Sequence, residues 1–572
     1  MKTALDFFNY RIEQMRSERS SWVPHWKELN NNFQPRKGKF FTGDRNKGSK
    51  RNQLPNNTPL FAKRTLRAGM MTGITSPARP WFRLAPPDPE MADYGPVRTW
   101  LDDVAAVMYR VFASSGLYRA LPGVYEECGV IGTAALLQEE DFENITKWSP
   151  FTVGEYFLDI NGDNQIDTFA REFQMTVYQM VSKFGLDNCS THVQNLYEVG
   201  NYSSWIDIYH LIEPNEKELE GISIPKEFTW RSVYYEQSMR NTDDSFLSVK
   251  GYKEFPLHAP RWDAKPGDVY GISPGMEAIG DGLALQTQEK EKGKAVAKMV
   301  APPTVAPSAL KNTQVSLLPG ANNFTDDPNN VFKAIYQVDP RVNELREDIQ
   351  STEERVNRAF FVDLFLMITN MRGIQPRNIE EIAERKEEKL LQLGPVLENL
   401  NSDLLDPIID RTFNMLVRAS EPGWRGMSNA MVIPPPPQEL TSEEGVDLKV
   451  EYISILAQAQ KMVSTGAMER WVGFVGNMAA IGLPGAMDKI NEDEVADSMA
   501  EDLGVPNKVV RTDEEVEELR EARRQQEQMA QAMEMAQAGA GIAAQGATAA
   551  KNLSETDTTG GNVMSNVLGV GS

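Results

Sequence analysis

Two stretches near the middle of the chain limit its architecture more than any other feature. Met276 to Met299 contains no proline and would span about 36 Å as a helix before Pro302 and Pro303 end it. Arg341 to Thr369 has the same character over about 44 Å, and Gly373 with Pro376 interrupts it, leaving a short loop over residues 370–378. Residues 301–340 read as a compact non-helical insertion between them. In the second stretch Val356, Phe360 and Leu364 make an apolar stripe beside charged faces, so a lone subunit would leave apolar surface in water. Two long helices, a 40-residue insertion between them and a Gly/Pro loop after the second suit a radial, closed assembly with head-to-tail contacts better than a catalytic pocket.

The rest of the 572 residues is long enough for several further units. An amphipathic helix is predicted around Phe7 to Leu29, with Phe8, Ile12, Met15 and Arg19 at helical spacing and Pro35 ending the pattern. Residues 97–140 read as helical after the turn at Pro86, Pro87 and Pro89. Phe151 to Phe173 alternates as two strands around Asn161, Gly162, Asp163 and Asn164, and Tyr197 to Tyr252 alternates aromatic and polar residues with breaks at Pro214 and Gly221. Mixed structure thus fills most of residues 95–265. Ile379 to Ala419 is charged and amphipathic, Ile433 to Pro437 is a proline run, and helices are predicted from Ser442 to about Ala530. The remainder is rich in Ala, Gln and Gly, lacks aromatics, and reads as a mobile tail.

Charge is unevenly spread. Lys plus Arg number 59 against 81 Asp plus Glu, a net of −22 that argues against a protein which simply coats nucleic acid. Residues 1–83 nevertheless hold 17 basic against 5 acidic residues, a net of +12 concentrated in the Gly- and Asn-rich run from Arg36 to Arg51. In that run Arg36, Lys37, Lys39, Arg45, Lys47, Lys50 and Arg51 are candidate contacts to a capsid or to DNA, the alternative being a solvated loop. Residues 441–521 hold 18 acids against 7 bases, a net of −11. Lys290, Lys294 and Lys298 follow at i, i+4 and i+8, which puts three ammonium groups on one helix face between Glu289 and Glu291. That face is either a solvated stripe or one turned to a polyanion.

Enzyme signatures fail. The Gly-Lys pairs at Gly38-Lys39 and Gly293-Lys294 are followed by Phe and Ala, so the hydroxyl of a phosphate-binding loop is missing. His25, His192, His210 and His258 have no metal-ligand spacing and read as core or surface residues. Asp159, Asn161 and Asp163 begin like a calcium loop, but Asn164 stands where Gly belongs and Ala170 where Glu belongs, so a polar hairpin turn is expected. Cys128 and Cys189 are too few for a disulfide framework, suggest a reducing compartment, and read as small buried hydrophobes. No metal or cofactor is expected. Met1 to Tyr10 lacks the basic flank and apolar run of a signal peptide, and the glycines and proline of Trp471 to Met487 make it a poor membrane span.

The block Tyr270-Gly271-Ile272-Ser273-Pro274-Gly275-Met276-Glu277-Ala278-Ile279-Gly280-Asp281, followed by Lys298 and Pro302-Pro303, resembles portal proteins, the head-to-tail connectors of short-tailed bacteriophages. A second block is similar to the same family in the same order: Glu384 to Glu388, Leu393 to Val396, and Leu404 to Arg411. A third is Leu456 to Gln460 with Leu503 to Pro506, so the resemblance covers most of residues 5–525. It departs at Gln286, where the family often has Asn, and over Gln375 to Asn378.

The resemblance implies a mainly α chain with an α+β wing, assembled as a ring of twelve subunits around a channel for double-stranded DNA. Residues 1–275 would form the N-terminal arm and wing, 276–300 and 341–369 the two stem helices, 301–340 the clip, and 370–378 the tunnel loop. Residues 379–420 would return to the wing, 421–440 form a Pro-rich linker, 441–525 an acidic helical crown, and 526–572 a flexible tail. Lys290, Lys294, Lys298, Arg372 and Arg377 become candidates for the channel wall. Implied partners are further copies of the chain, DNA without sequence preference, the major capsid protein, the terminase large subunit, a tail adaptor or tail protein, and scaffold or internal core proteins. No membrane is involved, and the place of action is one capsid vertex of the virion. The competing readings are an enzyme, which would need a site the residues do not supply, and a coiled-coil scaffold without a DNA channel.

Overall fold

Thr3 opens the first helix with a capping box, its hydroxyl accepting from the Asp6 amide while the Asp6 carboxylate accepts from the Thr3 amide. The computed structural model describes residues 3–35, 37–40, 54–86, 94–216, 222–237, 246–300, 342–370, 392–420, 433–437, 449–453, 471–478, 490–502 and 515–530, with isolated residues and short pairs between them. Helix α1 (Ala4–Arg19) stops at Ser20, and α2 (Val23–Phe33) starts afresh with a proline in its first turn, so the single helix expected over Phe7 to Leu29 is two. Phe8, Ile12 and Met15 are buried as their spacing predicts. Arg19 is buried too: its guanidinium donates to the carbonyls of Gly154 and Tyr156 and lies 3.8 Å from the Phe157 ring centroid.

Helix α3 (Thr58–Gly73) and strand β1 (Phe82–Ala85) precede α4 (Gly95–Ser115) and α5 (Leu117–Ile131). Helix ends at residue 131, short of the expected 140, because Gly132 takes φ +94°, a left-handed cap that a side chain would strain. The chain leaves as β2 (Ala135–Asp141), paired with β3 (Ile145–Phe151). A five-stranded antiparallel sheet follows, in the order β4 (Tyr156–Ile160), β5 (Ile166–Thr176), β6 (Trp205–Pro214), β7 (Trp230–Glu236), β8 (Ser248–Tyr252). Between β5 and β6 lie α6 (Val177–Phe184) and α7 (Thr191–Glu198), capped by Thr176 and Ser190, so Tyr197 is helical where a strand was expected. One face of the sheet packs Leu211, Val233 and Tyr235 on Leu5, Phe8 and Ile12 of α1; the other packs Ile208 and Tyr234 on Val177, Met180 and Val193. β9 (Leu257–His258) adds to β2.

Helix α8 (Pro274–Val300) runs where Met276 to Met299 predicts one. Its start is fixed to the end of α5: the Ser273 hydroxyl donates to the Val130 carbonyl at 2.7 Å and accepts from the Met276 amide at 3.1 Å. Gly275 permits this approach, since a Cβ there would stand 2.6 Å from the Val130 carbonyl oxygen. The helix expected over Arg341 to Thr369 is instead α9 (Val342–Ala359) and α10 (Val362–Asn370), broken where Phe361 takes φ +54°. The break lets Phe360 bury against Phe33, with centroids 5.2 Å apart, while Phe361 turns to Trp262. Val356, Phe360 and Leu364 are therefore buried within the subunit, contrary to the expected exposed stripe. Among the described residues of α8, α9 and α10, the exposed large apolar side chains are Leu283, Val296, Met299 and Val300 on α8 and Leu366 on α10.

β10 (Thr304–Val305) and β11 (Lys333–Ala334) pair and bring together the two ends of the insertion. The rest of residues 301–340 lies almost wholly outside the described residues, as does 371–391. Helix α11 (392–400) passes through a π-helical turn, Asn401–Leu405, into α12 (Asp406–Ser420). Helices do not return directly after Ser442: β12 (Lys449–Tyr452) pairs with β1, and Arg83 meets Glu451 across the pair at 2.7 Å. α13 (471–478), α14 (Glu492–Asp502) and α15 (515–530) follow, and Asp557–Thr558 pairs with Gly561–Asn562 in the segment read as a mobile tail. Residues 86–99, 436–447 and 490–572 form a second compact unit, the remainder the first.

Candidate functional site

The lysine stripe of α8 has the geometry its spacing predicts. Ala278, Gly282, Leu285 and Gln286 turn to the interior; Lys290, Lys294 and Lys298 continue the i+4 row of Ala278, Gly282 and Gln286, whose drift around the helix carries them from the flank of the buried face toward the far side, and all three are exposed. On the inner side α8 runs antiparallel to α9, joined by Asp281 to Arg355 at 2.9 Å and by Gln288 to Asp348 at 2.5 Å. Asn56 ties the start of α3 to both helices, since its amide nitrogen donates to Glu353 at 2.7 Å and its backbone amide to Gln286 at 3.0 Å. Gln286, a departure from the family pattern, is thus a buried bridge. Of the three lysines only Lys294 is in an ion pair among the described residues, with Glu291 at 2.7 Å; that hydrogen bond holds the Glu291 carboxyl below its usual range. Glu289 pairs with Lys292 instead. The face can present cations to a polyanion. Arg372 and Arg377 lie outside the described residues.

The basic run begins as an anchored strand of chain. Lys37 reaches Glu126 at 3.1 Å, Lys39 reaches Glu155 at 2.8 Å, and the Lys39 amide donates to the Val153 carbonyl. Two of the seven candidates are therefore engaged by carboxylates of their own subunit, which departs from both a free contact and a solvated loop. Arg36, Arg45, Lys47, Lys50 and Arg51 lie outside the described residues.

Glu126 is a hub that sequence spacing does not reveal, because its partners come from two separate segments, the start of the basic run and α3. Its carboxylate, 3% exposed, takes Lys63 at 2.5 Å and Arg67 at 3.0 Å besides Lys37. Burial pushes its pKa up, but Lys63 and Lys37 outweigh burial and hold it at about 2. Its neighbour Glu127 is pushed up by burial and accepts from the Thr152 hydroxyl and the Val153 amide. A second hidden network joins the sheet to α12. His258 shares a hydrogen bond with Gln138 at 2.8 Å, and Gln138 donates to Thr412 at 2.9 Å. Burial, with Arg411 adding to it, pulls His258 down to about 3.

The remaining chemical candidates are structural. Asn161 accepts from the amides of Asp163 and Gln165, Asn164 takes φ +60°, and Asp159 pairs with Arg11 at 3.2 Å, which makes the calcium-like sequence a polar hairpin turn. Cys128 and Cys189 are both buried, and burial pushes each thiol up, Cys189 to about 11. His210 is buried against Tyr234, whereas His25 and His192 are not buried. Among the described residues no cluster of metal-ligating side chains occurs, and no helix is long and apolar enough to cross a membrane.

Comparison with known proteins accounts for nearly the whole length. The family model described as bacteriophage head to tail connecting protein matches residues 6–510. The portal protein of Salmonella phage epsilon15 is 43% identical over 553 residues, 96% of this chain and 95% of the relative. The probable portal protein of Bordetella phage BPP-1 is 40% identical over 561 residues, 97% of this chain and 96% of the relative. Among solved structures, a chain from the virion of the native gene transfer agent particle aligns at a TM-score of 0.35 and 10% identity, over 78% of this chain and 90% of that one, too distant to carry a structural conclusion. With a family match spanning most of the sequence and two relatives at 43% and 40% identity from end to end, the chain belongs to the head-to-tail connecting proteins of bacteriophages, the portal protein family.

Proposed function

We propose that this chain is the portal subunit of a tailed phage, a virion component that forms a ring at one capsid vertex through which double-stranded DNA is packaged and later ejected. The observation that carries the reading is the 43% identity to a portal protein along 96% of the chain. The chain catalyses nothing in this role. It provides the channel, the seat of the terminase large subunit during packaging and of the tail adaptor or tail afterwards, and contacts to the major capsid protein and to scaffold or internal core proteins.

Three observations support a closed ring around DNA. Helix α8 carries Leu283, Val296, Met299 and Val300 exposed, apolar surface that a neighbouring copy would cover. Lys290 and Lys298 on α8 have no ion-pair partner among the described residues, so they are available to phosphates. The net charge of −22 becomes 12 × −22 = −264 in a twelve-subunit ring, which disfavours tight retention of a polyanion and lets it slide. In this assignment the wing spans residues 1–275, α8 and α9 are the stem, residues 301–340 the clip, 370–378 the tunnel loop, 379–420 the return to the wing, and 441–525 the crown.

Electron microscopy of the purified full-length chain tests the reading. Closed rings with a central channel, twelve subunits in the particle and a single copy of the ring per capsid are expected. A chain that stays monomeric at micromolar concentration, or that leaves the mature particle, would contradict it.

A further inference from the structure

The turn between β4 and β5, which resembles a calcium loop only in its first residues, holds the single Asn-Gly pair of the sequence, Asn161-Gly162. The Asn161 side chain is fixed. Its Oδ1 accepts from two backbone amides, those of Asp163 and Gln165, each at 2.9 Å, and its Nδ2 donates to Gln165 Oε1 at 3.4 Å. The Asn161 amide in turn donates to the Gln165 carbonyl at 2.8 Å. Gly162 is held by nothing comparable. It is exposed, a Cβ built on it would meet no atom within 4 Å, and its amide makes no hydrogen bond among the described residues.

We propose that Asn161 is a site of covalent self-modification, converted to aspartate or isoaspartate by attack of the Gly162 amide nitrogen on its own side chain. The Gly162 nitrogen gives its proton to water and bonds to Asn161 Cγ, while the electron pair of the carbonyl moves onto Oδ1. Collapse of that tetrahedral carbon breaks the bond to Nδ2, which takes up a proton and leaves as ammonia. Water then opens the cyclic imide, at Cγ to give isoaspartate when the main-chain carbonyl leaves with it unopened as the peptide donor is exchanged, or at the main chain to restore it.

The geometry favours this step at three points. Negative charge develops on Oδ1, where the Asp163 and Gln165 amides already point as a pair of oxyanion donors. The nucleophile and the carbon it attacks belong to adjoining residues, so the turn holds them together without loss of freedom at the moment of reaction. No side chain on Gly162 stands in the way, and its amide has no hydrogen bond to give up among the described residues. The product matters to the fold nearby. Isoaspartate lengthens the main chain in a hairpin whose register already shifts between Asp159 and Ile160, and the next residues of the turn are tied to distant ones: the Asn164 carbonyl accepts from Arg261 at 2.9 Å, and Asn164 Oδ1 accepts from the Gly267 amide at 2.8 Å.

Peptide mapping by mass spectrometry, on the full-length protein incubated at neutral pH either folded or unfolded in urea, tests the site. Conversion of Asn161 should outrun that of Asn144, Asn164 and Asn201 in the folded chain. It should also be roughly tenfold faster folded than unfolded, less than the 10²–10³ that one oxyanion donor supplies in a closed site because this turn is open to water. Gln165→Pro removes one of the two donors and should bring the folded rate down toward the unfolded one. Gly162→Ala, which fits the turn without contact, should slow conversion in both states and keeps the test open should Gln165→Pro misfold. A folded rate equal to or below the unfolded rate would mean that the hydrogen bonds guard the side chain, and it overturns the proposal. So does a rate unchanged in Gly162→Ala.

Discussion

Changing Glu126 to Gln should loosen the subunit where α3, α5 and the start of the basic run meet. The loss can be worked from the structure. Lys37 and Arg67 have side chains 37% and 43% exposed, so water and salt screen their share and each contributes well under 1 kcal/mol. Lys63 is different: its side chain is 10% exposed, and Glu126 is its ion-pair partner. Removing one member of a buried pair leaves a desolvated charge and costs about 3 to 5 kcal/mol. The depression of Glu126 from 4.5 to about 2 corresponds to about 3 kcal/mol, an order-of-magnitude agreement. Glu126 is the group depressed below its unfolded value, so its contribution is fully present above pH 4.5 and is lost as pH falls from there toward 2. Burial also pulls the Lys63 ammonium down, a cost of folding that Glu126 offsets; Lys63 stays protonated throughout that acid window, so Glu126 sets its slope. Hydrogen exchange reads the effect as local opening, a measure suited to a chain too large for two-state unfolding. Exchange over residues 37–40, α3 and α5 should accelerate roughly a hundredfold in Glu126→Gln at neutral pH, and the acid sensitivity of that region below pH 4.5 should flatten. A change of less than threefold, or an acid profile identical to the unmodified protein, would refute the reasoning.

Other outcomes follow from the same geometry. Gly275→Ala places a Cβ 2.6 Å from the Val130 carbonyl oxygen, a backbone atom that cannot swing aside, so about 1 to 3 kcal/mol of overpacking should appear as faster exchange at the end of α5 and the start of α8. His258 is depressed to about 3 from 6.5, so the unfolded chain takes up a proton that the folded one refuses, and stability contributed by this site declines as pH falls from 6.5 toward 3; its imidazole NMR signals should not titrate between pH 5 and 8. Lys290, Lys294 and Lys298 changed together to Gln should leave rings intact, since the one ion pair this removes, Lys294 with Glu291, is exposed and surface pairs contribute little. The amount of DNA packaged or retained should change instead, and failure of rings to form would mean that these lysines hold subunits together.

How much of the fold was legible in the sequence differs by element, for physical reasons. The helix α8 and the hairpin β4–β5 were legible because their signals are local: an uninterrupted run before Pro302 in one, alternation around a turn in the other. The break between α9 and α10 was not, because neither Gly nor Pro marks it. Burial of Phe360 on Phe33, a residue over three hundred positions away, decides it, and tertiary packing overrides a helical pattern. The same long-range pairing turned Lys449–Tyr452 into a strand, since β1 supplies the partner. The block from Tyr270 to Asp281 was legible as a family resemblance, and packing supplies its physical content. Tyr270 is buried under Trp26, Ser273 caps α8, and Gly275 admits the Val130 carbonyl.

Net charge counted by sequence window proves a poor guide to which cations are free. The +12 of residues 1–83 suggests a basic surface, yet the structure consumes much of it within the subunit. Arg11 pairs with Asp159 and Glu213, Arg16 with Glu13 and Glu172, Arg83 with Glu451, and Lys37, Lys63 and Arg67 converge on Glu126. Most of these carboxylates belong to later segments, so the basic start of the chain works as an internal clamp that draws distant elements to α1, α3 and the five-stranded sheet. Cations without an ion pair among the described residues include Lys290 and Lys298 of α8, inside a chain of net charge −22. An ion screened within a Debye length of about 8 Å acts only on what passes close by, so a few such groups can meet phosphate locally while the acidic whole repels it. For a channel that must pass DNA without holding it, that division of charge is the property required.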